Sequence, residues 1–154
     1  MNIRNSVKAV IIKGGQVLLT KNEDQEGIFY LFPGGGQEHG ETFHQALTRE
    51  CMEETGLRVE AGSLLFIREY IGRTHEYAAE DKDVHQVEFY FACRTDPGAE
   101  SAANPALPDT YQIGTEWVNV ERLIKYRLYP RGIRQKIIDF HNGQIADAYL
   151  GNIN

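Results

Sequence analysis

The 154 residues predict an α+β fold built on a mixed β-sheet. Three observations lead there. Strand-sized apolar runs outnumber helical stretches. Strands and helices interleave without a regular strand–helix–strand period, which argues against a doubly wound parallel sheet. One stretch, Thr42–Gly56, carries the signals for both ends of a helix within its own sequence.

Taken in order, Val7–Lys13 and Gln16–Lys21 are apolar-rich runs separated by Gly14-Gly15. They predict a hairpin, since paired glycines supply the positive φ of a tight turn. Asn22–Gly27 is charged and is expected to be a loop. Phe29–Phe32 is a short strand stopped by Pro33 and the glycines Gly34–Gly36, which are expected to form a loop. Thr42 as N-cap, Gln45 three residues later and Gly56 beyond the end place a helix over Phe43–Thr55. Leu64–Ile71 and Val84–Cys93 read as strands. In the second, Val87, Phe89, Phe91 and Cys93 share one face, with Glu88 and Tyr90 on the other. Asp96–Asp109 holds three of the five prolines and reads as a surface loop. Glu116–Val120 is a short strand. Val120–Tyr126 and Pro130–Asn142 read as helices, the second with proline at its start and Gly143 just past its end.

The length suits a single domain over 1–154, large enough for a core of its own. No apolar run reaches bilayer length, and Met1–Asn5 lacks the order of a secretion signal, so a cytoplasmic protein without a membrane partner is expected. Cys51 and Cys93 form no CxxC pair and are expected to be buried thiols. The net charge of −6, with Lys and Arg scattered, excludes general nucleic-acid binding. An acidic chain that handles phosphate does so locally through a bound cation, which directs attention to clustered carboxylates.

The helix over Phe43–Thr55 has such a cluster in an unusual place. At about 100° per residue, Glu50 and Glu54 fall roughly 20° either side of Phe43, inside the stripe formed by Phe43, Ala46, Leu47 and Cys51. Glu53 lies at the margin of that stripe, beside Arg49. Carboxylates turned inward must be paired, protonated or bound to metal. Like charges at i and i+4 also repel. A hard divalent cation, Mg²⁺ or Mn²⁺, relieves both problems. The competing explanation is a helix face neutralised by salt bridges, but Arg49 is the helix's only Lys or Arg. Just upstream, Pro33-Gly34-Gly35-Gly36 can bring backbone close to a ligand. Glu41 adds a carboxylate at the helix entrance.

These residues resemble the Nudix box. Gly35, Glu41, Arg49-Glu50, Glu53-Glu54 and Gly56 stand at its seven fixed positions, with Leu57 as the closing apolar residue. Cys51 stands where that family usually has Ile, Leu or Val, and fits the same packing role. The resemblance implies an α/β/α sandwich with a mixed central sheet and a pyrophosphohydrolase acting on a nucleoside diphosphate linked to another moiety. It implies Mg²⁺ or Mn²⁺ bound by Glu50, Glu53, Glu54 and the carbonyl of Gly35, with Arg49 orienting the glutamates and Glu41 supporting loop and helix. It is compatible with a homodimer, which no residue pattern here specifies. A non-catalytic nucleotide-sensing module is the alternative; its mark, loss of box glutamates, is absent.

The substrate is less legible. The proline and tyrosine motifs that mark ADP-ribose and dinucleoside polyphosphate hydrolases are missing near Arg73 and His75, as is the coenzyme A signature. Lys21, Arg68 and Arg73 are candidates to reach phosphates, and Phe29, Tyr30, Phe32 and Tyr70 to stack on a base, although aromatics at strand spacing ordinarily form core. Glu76, Glu80, Glu100 and Glu116 are candidates for a general base outside the box, against the ordinary role of solvated surface charges. His75 and His85 flank an acidic loop expected to border the site.

Overall fold

A computed structural model describes residues 2–96, 111–144 and 146–154. Its strands are β1 (Arg4–Lys13), β2 (Gln16–Asp24), β3 (Gly27–Leu31), β4 (Gly34–Gly36), β5 (Val59–Ile71), β6 (His85–Thr95), β7 (Gln112–Asn119) and β8 (Tyr149–Asn152). The α-helices are α1 (Phe43–Thr55), α2 (Ala78–Asp81) and α3 (Arg134–His141). The strands run in the order β3-β2-β1-β6-β5-β8, with β4 on β1 and β7 on β2. The β1–β6 and β5–β8 pairs are parallel and the rest antiparallel, so the sheet is mixed as expected.

Alternation along β1 explains the layers. Val7, Ala9 and Ile11 pack on one face against Ala46, Leu47 and Cys51 of α1. Val10 points the other way, into a second core with Phe32, Tyr90, Ile133 and Ile137, beneath α3. Helices therefore cover both faces. Cys51 and Cys93 are buried and free, and burial pushes both thiols above their ordinary pKa. Among the described residues no helix is long and apolar enough to cross a membrane.

Locally encoded elements stand where the residues put them. Gly14 and Gly15 take φ of 58° and 74°, closing the hairpin at Lys13 and Gln16. In α1, Thr42 Oγ1 accepts from Gln45 N–H at 3.1 Å, Gln45 Oε1 accepts from Thr42 N–H at 2.8 Å, and Gly56 ends the helix at φ 71°.

Other expectations are corrected. The charged stretch 22–27 is no loop: β2 and β3 pair through Asp24 and Gly27 around a tight turn. Its charges are tolerated because Arg127, distant in sequence, grips Asp24 with both terminal nitrogens at 2.9 Å. Gly34–Gly36 is a strand, not a loop, hydrogen-bonded to β1. Residues 120–125 form 3-10 turns rather than an α-helix, and 3-10 turns at Arg131–Ile133 precede α3. Nothing local marks α2 or β8, which are only four residues each. The expected 96–109 loop lies outside the described residues beyond Asp96.

Strand β6 is covered on both faces, and its Glu88 is buried. Burial alone would raise the pKa of this carboxyl. The charges of Arg68 and Lys8, and hydrogen bonds from Arg68 and Tyr90, outweigh that and hold it at about 2 against an ordinary 4.5. A depressed carboxyl pKa stabilises the fold fully above about 4.5 and progressively less as pH falls toward 2. Thermal midpoints followed by circular dichroism should therefore be level from pH 7 to 5 and fall below 4.5. Glu88→Gln leaves the buried guanidinium of Arg68 uncompensated and is expected to lower stability by about 3–5 kcal/mol at neutral pH. It should also flatten the acid limb; an unchanged limb would remove Glu88 as its source.

Candidate active site

Helix α1 presents its carboxylates to strand β4. Glu54 is 8% exposed, and its Oε2 accepts the Gly34 N–H at 3.1 Å. The Glu50 carboxylate lies against Gly35, so closely that a Cβ there would stand 2.5 Å from Oε2. Only glycine leaves room for Glu50 in this position. Glu53 is the most open of the three, its side chain 30% exposed. The inward turn of Glu50 and Glu54 expected from helical phase is present.

Arg49 organises the cluster. Its Nε and Nη2 fork onto the two oxygens of Glu41 at 3.0 and 2.7 Å, and Nη2 also donates to the Gly36 carbonyl at 3.0 Å. Its Nη1 reaches Glu50 Oε1 at 2.8 Å and Glu53 more loosely at 3.4 Å. Glu41 in turn accepts the Glu38 N–H at 2.7 Å, fixing the turn before the helix. The hydrogen bonds from Arg49 hold the Glu41 carboxyl below its usual range, and those from Glu41 and Glu50 push the guanidinium further up. A salt-bridged helix face is thus partly realised. One guanidinium bridges four carboxylates, Glu38, Glu41, Glu50 and Glu53, leaving three negative charges over.

No three acidic, His or Cys side chains among the described residues converge into a ready-made cage. The donor set nevertheless fits a hard cation, being carboxylate oxygens beside a glycine strand. The cradle at Gly35 that a Cβ would fill holds Glu50 at the strand surface.

A cavity of about 770 Å³ approaches the cluster only through chain neighbours; none of Glu41, Arg49, Glu50, Glu53 and Glu54 lines it. Leu31 on its wall lies three residues before Gly34, the partner of Glu54. Tyr111 on the opposite rim precedes Gln112, whose Nε2 donates to the Glu54 carbonyl at 2.8 Å. Its walls also include Phe29, Arg68, Tyr70 and Tyr129. The 72–83 segment contributes Tyr77, Glu80 and Asp81, so part of the acidic stretch between His75 and His85 lines this cavity. Arg127 ties the rim together: it bonds Asp24 and Glu26 of the β2–β3 turn, and its Nη2 donates to the Tyr77 hydroxyl at 3.0 Å.

The other sequence candidates separate cleanly. Tyr30 and Phe32 are buried in the core under α3, Phe32 edge-on to Tyr90 and Tyr30 donating to Glu116 at 3.1 Å. Burial and that carboxylate push the Tyr30 hydroxyl up to about 12. Lys21 also engages Glu116, at 3.5 Å. Arg73 is exposed. Arg68 is buried, bonded to Glu88 at 2.7 Å, and lines the cavity. Of the base candidates, Glu76 bridges Arg131 and Glu116 bridges Lys21, whereas Glu80 lines the cavity; Glu100 lies outside the described residues. Arg127, Asp24 and Tyr129 were not anticipated, because nothing local marks residues that meet across 103 positions.

Comparison with known proteins places the chain in a family. The NUDIX domain model matches residues 2–138. Nucleoside triphosphatase NudI of Escherichia coli O139:H28 is 31% identical over 135 residues, covering 83% of this chain and 90% of that protein. NAD-capped RNA hydrolase NudC of Pasteurella multocida is 27% identical over 92 residues, 51% of this chain; the match spans only 34% of that longer protein. Among solved structures, a NUDIX hydrolase from Nitrosomonas europaea superposes with a TM-score of 0.72 at 22% identity, covering 94% of this chain and 92% of its own.

Proposed function

Because the chain belongs to the NUDIX family of hydrolases, which act on pyrophosphate bonds, we propose that it cleaves the diphosphate linkage of a nucleoside diphosphate derivative by attack of water on phosphorus. The derivative is a nucleoside triphosphate, a nucleotide sugar or a compound of the ADP-ribose type. The observation that carries this reading is the packing of Glu50 against Gly35, in a space no other residue leaves open. It sets a carboxylate against a strand backbone near a cavity of nucleotide size.

Mg²⁺ or Mn²⁺ held by Glu50, Glu53, Glu54 and the Gly35 carbonyl would neutralise the diphosphate, polarise phosphorus and acidify bound water. The protein's own groups do the rest. Glu54 is fixed by the Gly34 N–H, and Glu50 by Gly35 and Arg49. Glu53, the loosest contact of Arg49 and the most open carboxylate, is placed to orient the attacking water or accept its proton. Arg49 touches Glu41, Glu50 and Glu53 and sets their spacing.

The test is a panel of nucleoside triphosphates, nucleotide sugars and ADP-ribose, incubated with Mg²⁺ or Mn²⁺ in ¹⁸O-water. Released monophosphate carrying ¹⁸O is expected, abolished by EDTA and restored by added metal. Turnover indifferent to chelation would overturn the assignment of the carboxylates. Tight binding without hydrolysis across the panel would favour a nucleotide-sensing module instead.

A further inference from the structure

The cavity near the carboxylates has the wrong charge for phosphate. Asp24, Glu26, Glu80 and Asp81 on its wall face Arg68 and Arg127, two positive charges against four negative. Arg127 is already committed to Asp24 and Glu26, and Arg68 to Glu88. Lys8, whose charge also acts on Glu88, does not line the cavity. If the diphosphate lies at the box, this space receives the uncharged end of the molecule.

Arg68 has one unusual feature. Its side chain is 7% exposed; Nε donates to Glu88 at 2.7 Å and Nη1 to the Ile153 carbonyl at 2.6 Å. Among the described residues Nη2 makes no hydrogen bond, and the guanidinium carbon lies over the Tyr70 ring, 5.1 Å from its centroid. Nη2 is not sealed in protein either, because the one buried side-chain nitrogen or oxygen without a partner among the described residues is His85 Nε2. Nη2 therefore keeps some accessible surface, and Arg68 lines the cavity. Its partner Glu88 is saturated, accepting also from Gln86 and Tyr90 at 2.7 and 2.6 Å, and so is not free to swing across to Nη2. A rigid donor with its charge already balanced suits a neutral acceptor such as a ring carbonyl. Phe29 and Leu31 offer an apolar wall to a flat ring, and Glu80, whose side chain makes no hydrogen bond or ion pair among the described residues, offers an acceptor for ring N–H.

We propose that Arg68 is the specificity-determining residue of this cavity, donating through Nη2 to the carbonyl of a base with a lactam edge, C=O beside N–H, as in hypoxanthine, guanine or uracil. The inference rests on the hydrolase reading above. A base with an amino group at that edge, adenine or cytosine, sets donor against donor and leaves Nη2 unpaired. A hydrogen bond to a charged group contributes enough to change binding about 10- to 100-fold.

The experiment compares pairs that differ only at that edge: inosine against adenosine and uridine against cytidine. Triphosphates are assayed by kcat/KM with Mg²⁺, and monophosphates by calorimetric binding. At least one pair should favour the lactam about tenfold or more, chiefly through KM. Arg68→Met would strand Glu88 in the interior, so the variant is Arg68→Met with Glu88→Gln, its folding checked by circular dichroism. There the preference should fall to within about twofold. Preference below twofold in the wild-type protein, or undiminished preference in the folded double variant, would overturn the proposal. Hydrolysis of both members at equal rates defeats the base assignment and leaves the hydrolase reading standing. Discrimination in monophosphate binding without hydrolysis of any triphosphate does the reverse for triphosphates as substrates.

Discussion

Glu54→Gln should remain folded and lose metal-dependent turnover by more than about 100-fold, the upper end of what removing an outer partner of a metal ligand does. The amide has nearly the same volume, and its carbonyl can still accept the Gly34 N–H. What changes is a negative charge in a position only 8% exposed. The variant's thermal midpoint in EDTA should stay close to that of the wild-type protein, because the volume and the hydrogen bond from the Gly34 N–H are kept. The stabilising effect of Mg²⁺ or Mn²⁺ on that midpoint should shrink with the activity. Full activity in a folded Glu54→Gln protein would remove this carboxylate from the chemistry.

Alanine at Gly34 and at Gly35 should fail in different ways, although the two residues are adjacent. At Gly34 the backbone has φ 146°, and a Cβ would lie 1.9 Å from the Val7 carbonyl oxygen. That neighbour is the backbone of β1 and cannot yield, so Gly34→Ala is expected to destabilise by about 3 kcal/mol or more and to yield little soluble protein. At Gly35 the obstacle is the end of the Glu50 side chain, at 2.5 Å, which can rotate away. Gly35→Ala should therefore fold with a loss of about 1 kcal/mol, while kcat falls about 100-fold because Glu50 is displaced by roughly an ångström. Melting curves and kcat for the two variants check the split. A Gly35→Ala protein with normal kcat would show that Glu50 need not lie against the strand.

The contrast between these neighbours shows what the sequence could and could not disclose. Helix α1 was readable to the residue because Thr42, Gln45 and Gly56 act within one turn of its ends. The inward phase of Glu50 and Glu54 followed from helix geometry alone. That Gly34–Gly36 is a strand was not readable, since the partner that makes it one is the backbone of Ser6–Lys8. The turn at Asp24–Gly27 looked like a solvated loop because its counter-charge, Arg127, comes from the far end of the chain. Tyr30 and Phe32 were legible, since aromatics at strand spacing ordinarily form core, and the strand register turns Tyr30 toward Glu116 and Phe32 onto Tyr90. Arg68 was singled out as a phosphate candidate without any means of seeing Glu88 opposite it on β6, the contact that changes what it can recognise.

The hydrogen bonds that hold the box carboxylates close over short stretches: 8 residues from Arg49 to Glu41, 13 to Gly36 and 20 from Glu54 to Gly34. Those that frame the cavity close over 85 residues at Arg68–Ile153 and 103 at Arg127–Asp24. Loop-closure entropy favours the short contacts first, and long-range pairing sets the slow steps of assembly. A chain emerging from the ribosome therefore has every residue of the carboxylate cluster available by Gly56, long before the last walls of the cavity are synthesised. Of the two, the cavity is the one completed last as the molecule folds.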